Sequence, residues 1–472
     1  MRCRCPLLPL IAALLALAPA ALFAQPPSPQ PAQPITAKGT KALTDRVNAL
    51  ELRVAAAERH IENKQEHVHL LGHGPLWFSA LLQTRWTGVF ASDSQAGAAP
   101  QTEFSWSFTV PRARIGINGD VGPLRYVLTG ELGQLRRERG ALADAFIEAR
   151  WPFEQIHGGR TELHARAGQF KVPMSPLMRI NEPDRLFVER PVSVDALGFD
   201  RDVGLALDIV HGGHWWILES TAGLWNGAGA NRLDPRDMPL LLARIELGLG
   251  PSIHGQRAAD IEGPDERGPL AVRVGAAVAF QRAPAPSVGI AGAAGQSPPV
   301  FDTDADRDGR RDTVGLTTIG ADLTARLRAI AFEAEALCRR EADGRFGAAQ
   351  SPPRSFDEWL FGGVVQLSYD LRWLPDHVVF PSGGVQIGVR AAATEVSPLV
   401  TGGIQGPLLG DLRTELGGLV SYLVNERDIG GLGARLRAHY SYLRWSTEGA
   451  AEPTLPGEHR LILEAQLAHF GR

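Results

Sequence analysis

The chain has 472 residues, but it has little cysteine and, beyond its amino terminus, almost no lysine. Two of its three cysteines, Cys3 and Cys5, lie within the first 24 residues, so Cys338 is the only cysteine in the rest of the chain. One cysteine cannot form an intrachain disulfide, which excludes a disulfide-rich scaffold. Lys171 is the only lysine after Lys64, so arginine supplies the other basic charge of that region.

Strong net charge and catalytic signatures are also missing. The formal net charge is −4 and the pI is about 6.4, which argues against nucleic acid as a partner. The chain contains no Gly-x-Ser-x-Gly, no His-Glu-x-x-His, no phosphate-binding glycine loop and no Cys-x-x-Cys. We therefore predict a protein that is not an enzyme and has no organic cofactor.

Long hydrophobic runs do not occur after the amino-terminal segment. Residues 1–24 have the pattern of a signal peptide, with Arg2 and Arg4 preceding an apolar stretch at 7–21. No later window has 18 consecutive apolar residues, so we expect no membrane-spanning helix. An exported chain of this kind can still enter a membrane as a β-barrel.

Two short segments follow the signal peptide. Residues 25–40 are rich in proline, glutamine and alanine, which is typical of a flexible linker. In residues 41–66, apolar side chains recur at alternating spacings of four and three: Leu43, Val47, Leu50, Val54, Ala57 and Ile61. This heptad pattern predicts a short coiled-coil helix that depends on a larger oligomer for stability. An amphipathic helix packed on its own domain is the alternative.

Residues 72–470 alternate between apolar and polar side chains with a period of two. Near the carboxyl terminus, for example, Arg435, Arg437 and His439 alternate with leucine, alanine and tyrosine. About sixteen segments show this pattern: 75–90, 104–118, 123–134, 141–152, 160–169, 202–211, 215–224, 239–249, 269–281, 314–325, 328–341, 357–370, 384–395, 409–424, 431–445 and 457–470. They are longer than most strands of soluble proteins.

We therefore predict an all-β fold, namely a transmembrane antiparallel β-barrel of about sixteen strands, preceded by a short N-terminal coiled-coil helix. The apolar face would contact lipid and the polar face would line the lumen. A secreted soluble β-protein is the alternative. Short turns would lie in the periplasm together with the amino terminus, and long loops would be extracellular. Two connections break this alternation of lengths, at 251–269 and 371–383.

Five short motifs occur in order along the chain: Val-Pro-Arg-Ala-Arg-Ile-Gly at 110–116, Asp-Ala-Phe-Ile-Glu at 144–148, Gly-Gln-Phe-Lys-Val-Pro-Met-Ser at 168–175, Glu-Arg-Pro at 189–191 and Arg-Asp-Val-Gly at 201–204. Together they resemble the phosphate-selective porin O/P family of bacterial outer membranes. The resemblance implies a homotrimer in outer-membrane lipid that takes up small anions such as phosphate. It also implies that the loop after the fifth strand, at 170–201, folds inward and narrows the lumen.

The chain departs from this family at its carboxyl end, because Phe470 is followed by Gly471 and Arg472 whereas family members usually end on an aromatic residue. Two other functions remain open. One is a general porin, or a porin for other small solutes, on the same fold. The other is a structural tether between the outer membrane and periplasmic material.

The candidate anion pathway consists of basic residues on the predicted lumen face: Lys171, Arg112, Arg114, Arg150, Arg166, Arg435 and Arg437. A phosphate filter needs excess positive charge. From Ala165 to Asp202, however, six basic residues are matched by six acidic ones. A charge-balanced wall of salt bridges is therefore the alternative to an arginine-lined path. Lys171 would either attract anions or stabilise the bend at Pro173.

A second candidate site is an acidic segment in a predicted extracellular loop. Asp304, Asp306, Asp308 and Asp312 have the spacing of the first half of a calcium-binding loop, with a glycine at the bend. Gly315 stands where the bidentate acid of such a loop would be. A structural calcium ion and a solvated acidic loop both fit this pattern.

Overall fold

The computed structural model describes most of the predicted barrel. The described residues are 76–93, 101–133, 142–156, 159–181, 185–213, 215–231, 238–250, 271–284, 313–327, 329–346, 354–371, 383–396, 411–424, 432–447 and 457–470. The predicted signal peptide, linker and coiled coil lie outside these residues, and so do the four aspartates of the candidate calcium loop.

Sixteen antiparallel strands form one closed barrel, in which every strand pairs with its neighbours in sequence and β1 pairs with β16. The strands are β1 (Leu76–Asp93), β2 (Gln101–Val121), β3 (Leu124–Glu131), β4 (Leu142–Ile156), β5 (Gly159–Lys171), β6 (Arg201–Gly212), β7 (Trp216–Trp225), β8 (Met238–Leu249), β9 (Ala271–Pro284), β10 (Thr313–Leu327), β11 (Ile330–Phe346), β12 (Arg354–Asp370), β13 (Gly383–Val396), β14 (Asp411–Val424), β15 (Leu432–Thr447) and β16 (Glu458–Phe470). The all-β barrel and its strand count are confirmed, and the predicted strand ends differ from these by at most five residues.

The alternation along each strand determines which side chains face outward. On β15, Leu436 and Tyr440 are exposed, whereas Arg437, His439 and Ser441 are buried inside the barrel. A soluble barrel buries its apolar face, so this arrangement is the inverse of what water favours. It suits a barrel whose outer wall contacts lipid. Among the described residues, no helix is long and apolar enough to cross a membrane.

The segment between β5 and β6, residues 172–200, folds into the barrel. We call it the inner loop; residues 182–184 lie outside its described part. It contains two short helices, α1 (Pro176–Arg179) and α2 (Val192–Leu197). Ser175 caps α1, because its hydroxyl accepts a hydrogen bond from the Met178 amide at 3.3 Å. The second helix contacts β11, β12, β13 and β14, across the lumen from the strand that precedes the loop.

An apolar core inside the barrel holds the inner loop in place. Loop side chains such as Met174, Met178 and Leu197 pack against wall side chains that include Trp225 and Leu360. A fully buried side chain of this size contributes about 1.5–3 kcal/mol. The inner loop is therefore a packed element, and part of the lumen is filled by apolar contacts.

Candidate functional site in the barrel lumen

Strand register brings inward-facing charges into rows around the wall. Arg437 on β15 is opposite Glu464 on β16, and Glu464 is opposite Arg85 on β1. The Nη2 atom of Arg85 is 3.0 Å from Oε2 of Glu464, and Arg437 also forms an ion pair with Glu464. One buried glutamate thus bridges two arginines from different strands.

Two glutamines connect this row to β2. Arg437 donates to Oε1 of Gln466 at 2.7 Å, and Gln83 donates to the same oxygen at 3.0 Å. Arg112 donates to Oε1 of Gln83 at 3.3 Å. The candidate residues Arg112 and Arg437 therefore belong to one hydrogen-bonded chain that crosses the closure of the barrel.

Three of the candidate arginines, one each on β2, β4 and β5, have acidic partners. Arg114 donates from Nε to Glu131 at 2.6 Å. Arg150 and Arg166 share Glu148, with Nε–Oε distances of 2.6 and 2.8 Å. The Arg166 guanidinium also lies 5.1 Å from each of two ring centroids, those of Phe146 and Phe170. These partners orient the arginines along the wall, as expected for a wall of salt bridges.

Lys171 lies at the last position of β5, where the inner loop begins. Its Nζ atom donates to the backbone carbonyls of Arg179 at 3.2 Å and Ile180 at 2.7 Å. These carbonyls are at the end of α1, so the lysine charge also interacts favourably with the helix terminus. The contacts favour the structural role for Lys171, whereas a role in attracting anions stays a prediction.

We expect Lys171→Met to increase fluctuations of the current through the barrel, because the variant loses two charge-assisted hydrogen bonds that are each worth about 1.5–3 kcal/mol. Single-channel noise in planar bilayers measures the effect. Lys171→Arg is the matched control, since it keeps both charge and donors. If Lys171→Met instead shifts the reversal potential toward cations without added noise, Lys171 acts on ions rather than on the loop.

Wall arginines also bind the backbone of the inner loop. Arg435 and Arg437 both donate to the carbonyl of Arg185, at 2.6 and 2.7 Å. Three further arginine–carbonyl bonds are Arg390 to Glu189 at 2.8 Å, Arg339 to Leu197 at 2.7 Å and Arg244 to Met174 at 3.3 Å. Two residues predicted to line an anion path therefore also fasten the loop.

The seven predicted pathway residues lie on four strands. Arg112 and Arg114 are on β2, Arg150 is on β4, Arg166 and Lys171 are on β5, and Arg435 and Arg437 are on β15. Arg244, Arg339 and Arg460 are not among the predicted pathway residues. Strand alternation predicts that all three face inward, but no sequence signal shows which inward residues meet the loop. Whether any of these residues contacts a permeating anion stays a prediction.

One group of side chains could in principle hold a metal ion. Single ligand atoms of Glu148, His164 and Asp208 all lie within 4.8 Å of one another. However, Arg150 and Arg166 already neutralise Glu148, and Nε2 of His164 lies 3.0 Å from Glu162. The group is best described as part of the salt-bridge wall.

Comparisons with known proteins add distant likenesses only. No protein-family model matches the chain, and no curated protein matches it. Among solved structures, an anion-selective porin from Comamonas acidovorans shows 10% identity and a TM-score of 0.45, over 84% of this chain and 100% of that one. The outer membrane channel DcaP of Acinetobacter baumannii shows 10% identity and a TM-score of 0.45, over 85% and 99%. OprB of Pseudomonas putida shows 13% identity and a TM-score of 0.45, over 85% and 95%. Likeness this distant carries no argument about function, which has to be inferred from the barrel itself.

Proposed function

We propose that the protein is an outer-membrane porin for the passive diffusion of small solutes, and specifically of small anions such as phosphate. The supporting observation is a closed barrel of sixteen strands with apolar side chains outside, charged side chains inside and a loop packed within the lumen. Barrels of this size enclose water-filled channels. This proposal keeps the resemblance to the phosphate-selective O/P family as its most specific form.

A hydrated path beside the inner loop is supported by partly exposed charges within the barrel. The side chains of Arg150, Glu189 and Asp200 are each about one-third exposed, although they lie on inward faces or on the inner loop. Charged groups of this kind need water, since burying them without full compensation is costly. The apolar core fills one part of the lumen, so we place the path along these charges.

Anion preference is supported by the wall from β13 through β16 to β1. Among its described inward-facing side chains, arginines outnumber acids: Arg85, Arg390, Arg413, Arg435, Arg437 and Arg460 stand against Glu415, Glu458 and Glu464. Fixed excess positive charge lowers the energy of an anion in a narrow aqueous path. A general porin would need no such excess.

The test is conductance in planar bilayers across a potassium chloride gradient. We expect stable open channels and a reversal potential on the anion-selective side. A zero or cation-directed reversal potential would support the general porin instead. Absence of any conductance would leave the structural tether as the better function.

The proposal extends to parts of the chain outside the described residues. It includes export through the signal peptide at 1–24 and a homotrimer assisted by the periplasmic coiled coil at 41–66. It also includes calcium bound by the aspartates at 304–312, for which a solvated loop remains the alternative.

A further inference from the structure

Glu189 of the inner loop lies where β1 and β16 face the lumen. Its Oε1 atom is 3.2 Å from Nη1 of Arg85, and its Oε2 atom is 3.5 Å from Nη1 of Arg460. The glutamate side chain is 35% exposed and that of Arg460 is 28% exposed, so water in the lumen reaches both. Each oxygen of one accessible carboxylate therefore meets a different arginine.

Both arginines have separate partners on the wall. Arg85 contacts Glu464 through Nε and Nη2, at 3.3 and 3.0 Å. Arg460 contacts Glu458 through Nε. These bonds orient the two guanidinium groups independently of Glu189. The Nη1 atoms of Arg85 and Arg460 both face the position that the Glu189 carboxylate occupies. Converging N–H donors on two guanidinium groups match the geometry of carboxylate and phosphate oxygens.

We propose that Arg85 and Arg460 form a binding site for the oxyanion group of a permeating solute, and that the Glu189 carboxylate occupies this site as an intramolecular competitor. The proposal rests on the porin function proposed above and names the solute chemistry and its regulation. A carboxylate or phosphate group entering from the lumen displaces Glu189, which then turns into water. When the solute leaves, Glu189 returns, so the site does not trap its ligand.

The backbone of the loop does not depend on this exchange. Arg390 holds the carbonyl of Glu189, and Arg435 and Arg437 hold the carbonyl of Arg185. The carboxylate can therefore leave the two arginines while the segment between residues 185 and 189 stays docked on the wall.

The local charge determines how much the oxyanion affinity should change when the Glu189 charge is removed. Arg85, Arg437 and Arg460 pair with Glu189, Glu458 and Glu464, so this ion-paired set has no net charge while Glu189 is in place. Removing the Glu189 charge leaves one uncompensated positive charge. In a water-filled site, one unit charge at contact distance changes oxyanion affinity by about fivefold, or ~1 kcal/mol.

The experiment compares Glu189→Gln with the wild-type chain in planar bilayers. Inorganic phosphate or sodium acetate is added to a potassium chloride bath, and the concentration that halves the chloride current is measured. We expect Glu189→Gln to lower this concentration by about fivefold and to shift the reversal potential toward anions. Adding Arg85→Gln or Arg460→Gln to the same variant should abolish the gain.

Asp200→Asn is the matched control, because Asp200 is on the same loop, is 37% exposed and pairs with Arg190 instead. An equal shift in this control would show a general charge effect and overturn the site. Glu189→Asp keeps the charge near the site on a shorter side chain, so we expect it to enhance block less than Glu189→Gln does. Equal enhancement in the two variants would overturn competition by the carboxylate charge.

The two solutes separate the ligand classes. Stronger block by phosphate identifies a phosphate site, and stronger block by acetate identifies a carboxylate site. A conducting wild-type channel in which Glu189→Gln changes neither block nor reversal potential overturns this inference while leaving the porin function standing. A wild-type chain that does not conduct overturns both.

Discussion

Arg244→Leu is expected to destabilise the barrel by about 3–5 kcal/mol, because it leaves the buried Asp322 carboxylate without its counter-ion. The Arg244 side chain on β8 is only 1% exposed. It donates to both oxygens of Asp322 on β10, at 2.7 and 3.0 Å, and to Glu246 at 2.8 Å. It also holds the Met174 carbonyl, so the inner loop loses an anchor at the same time.

Chemical unfolding of the chain refolded into lipid vesicles, followed by tryptophan fluorescence, measures this loss. The double variant Arg244→Leu/Asp322→Leu should recover part of it, since removing both partners of a buried pair is less costly than removing one. Arg340→Leu is the control, because the Arg340–Asp357 pair is exposed and such pairs contribute little. Equal unfolding midpoints for Arg244→Leu and Arg340→Leu would contradict the prediction.

Gly168→Ala is expected to disturb the start of the inner loop and to reduce the yield of folded barrel. Gly168 has a φ of 125°, a backbone conformation that residues other than glycine rarely adopt. For such residues the conformation costs of the order of 1–3 kcal/mol. An added Cβ would also collide with the carbonyl oxygen of Ala145 and lie 2.8 Å from Cα of Phe146. The neighbouring strand β4 would have to move.

The displaced segment carries contacts on which the loop depends. Phe170 packs against Trp225 with ring centroids 5.6 Å apart, and Lys171 follows directly. Heat-dependent mobility on gels, which separates folded from unfolded barrels, gives the readout. Gly418→Ala is the control, because a Cβ there would meet nothing within 4 Å. Folded yields that do not differ between the two variants would contradict the prediction.

The architecture could be predicted because a barrel wall repeats one simple rule. Alternation of period two divides the residues of a strand between its two faces without knowledge of their partners. The alternation at Leu436, Arg437 and His439, for example, predicts their observed exposure. The number of strands follows from counting such segments. The predicted ends of the strands are less accurate than their number, because hydrogen bonding continues along a strand for as long as its neighbour extends.

The site could be predicted only as a set of inward-facing charges. Arg166 is predicted to line an anion path, and this prediction is not tested by the structure. The sequence does not reveal that the Arg166 guanidinium pairs with Glu148 and lies against two aromatic rings. Glu189 entered the sequence predictions only as part of the Glu-Arg-Pro motif at 189–191 and as one of the six acids between Ala165 and Asp202. Its contacts with Arg85 and Arg460 join residues more than a hundred and more than two hundred positions apart, which local sequence patterns cannot reveal.

The sequence by itself determined the strands, their number, the division of each strand into an apolar and a polar face, and the position of the long segment after β5. These features depend on local periodicity and turn spacing, which can be recognised from residues that are close in the sequence. Only the tertiary structure decided where the inner loop packs, which arginines fasten it and which carboxylate each arginine meets. Those contacts depend on closure of the barrel, because β16 must pair with β1 before Arg85, Arg460 and Glu189 can share one site.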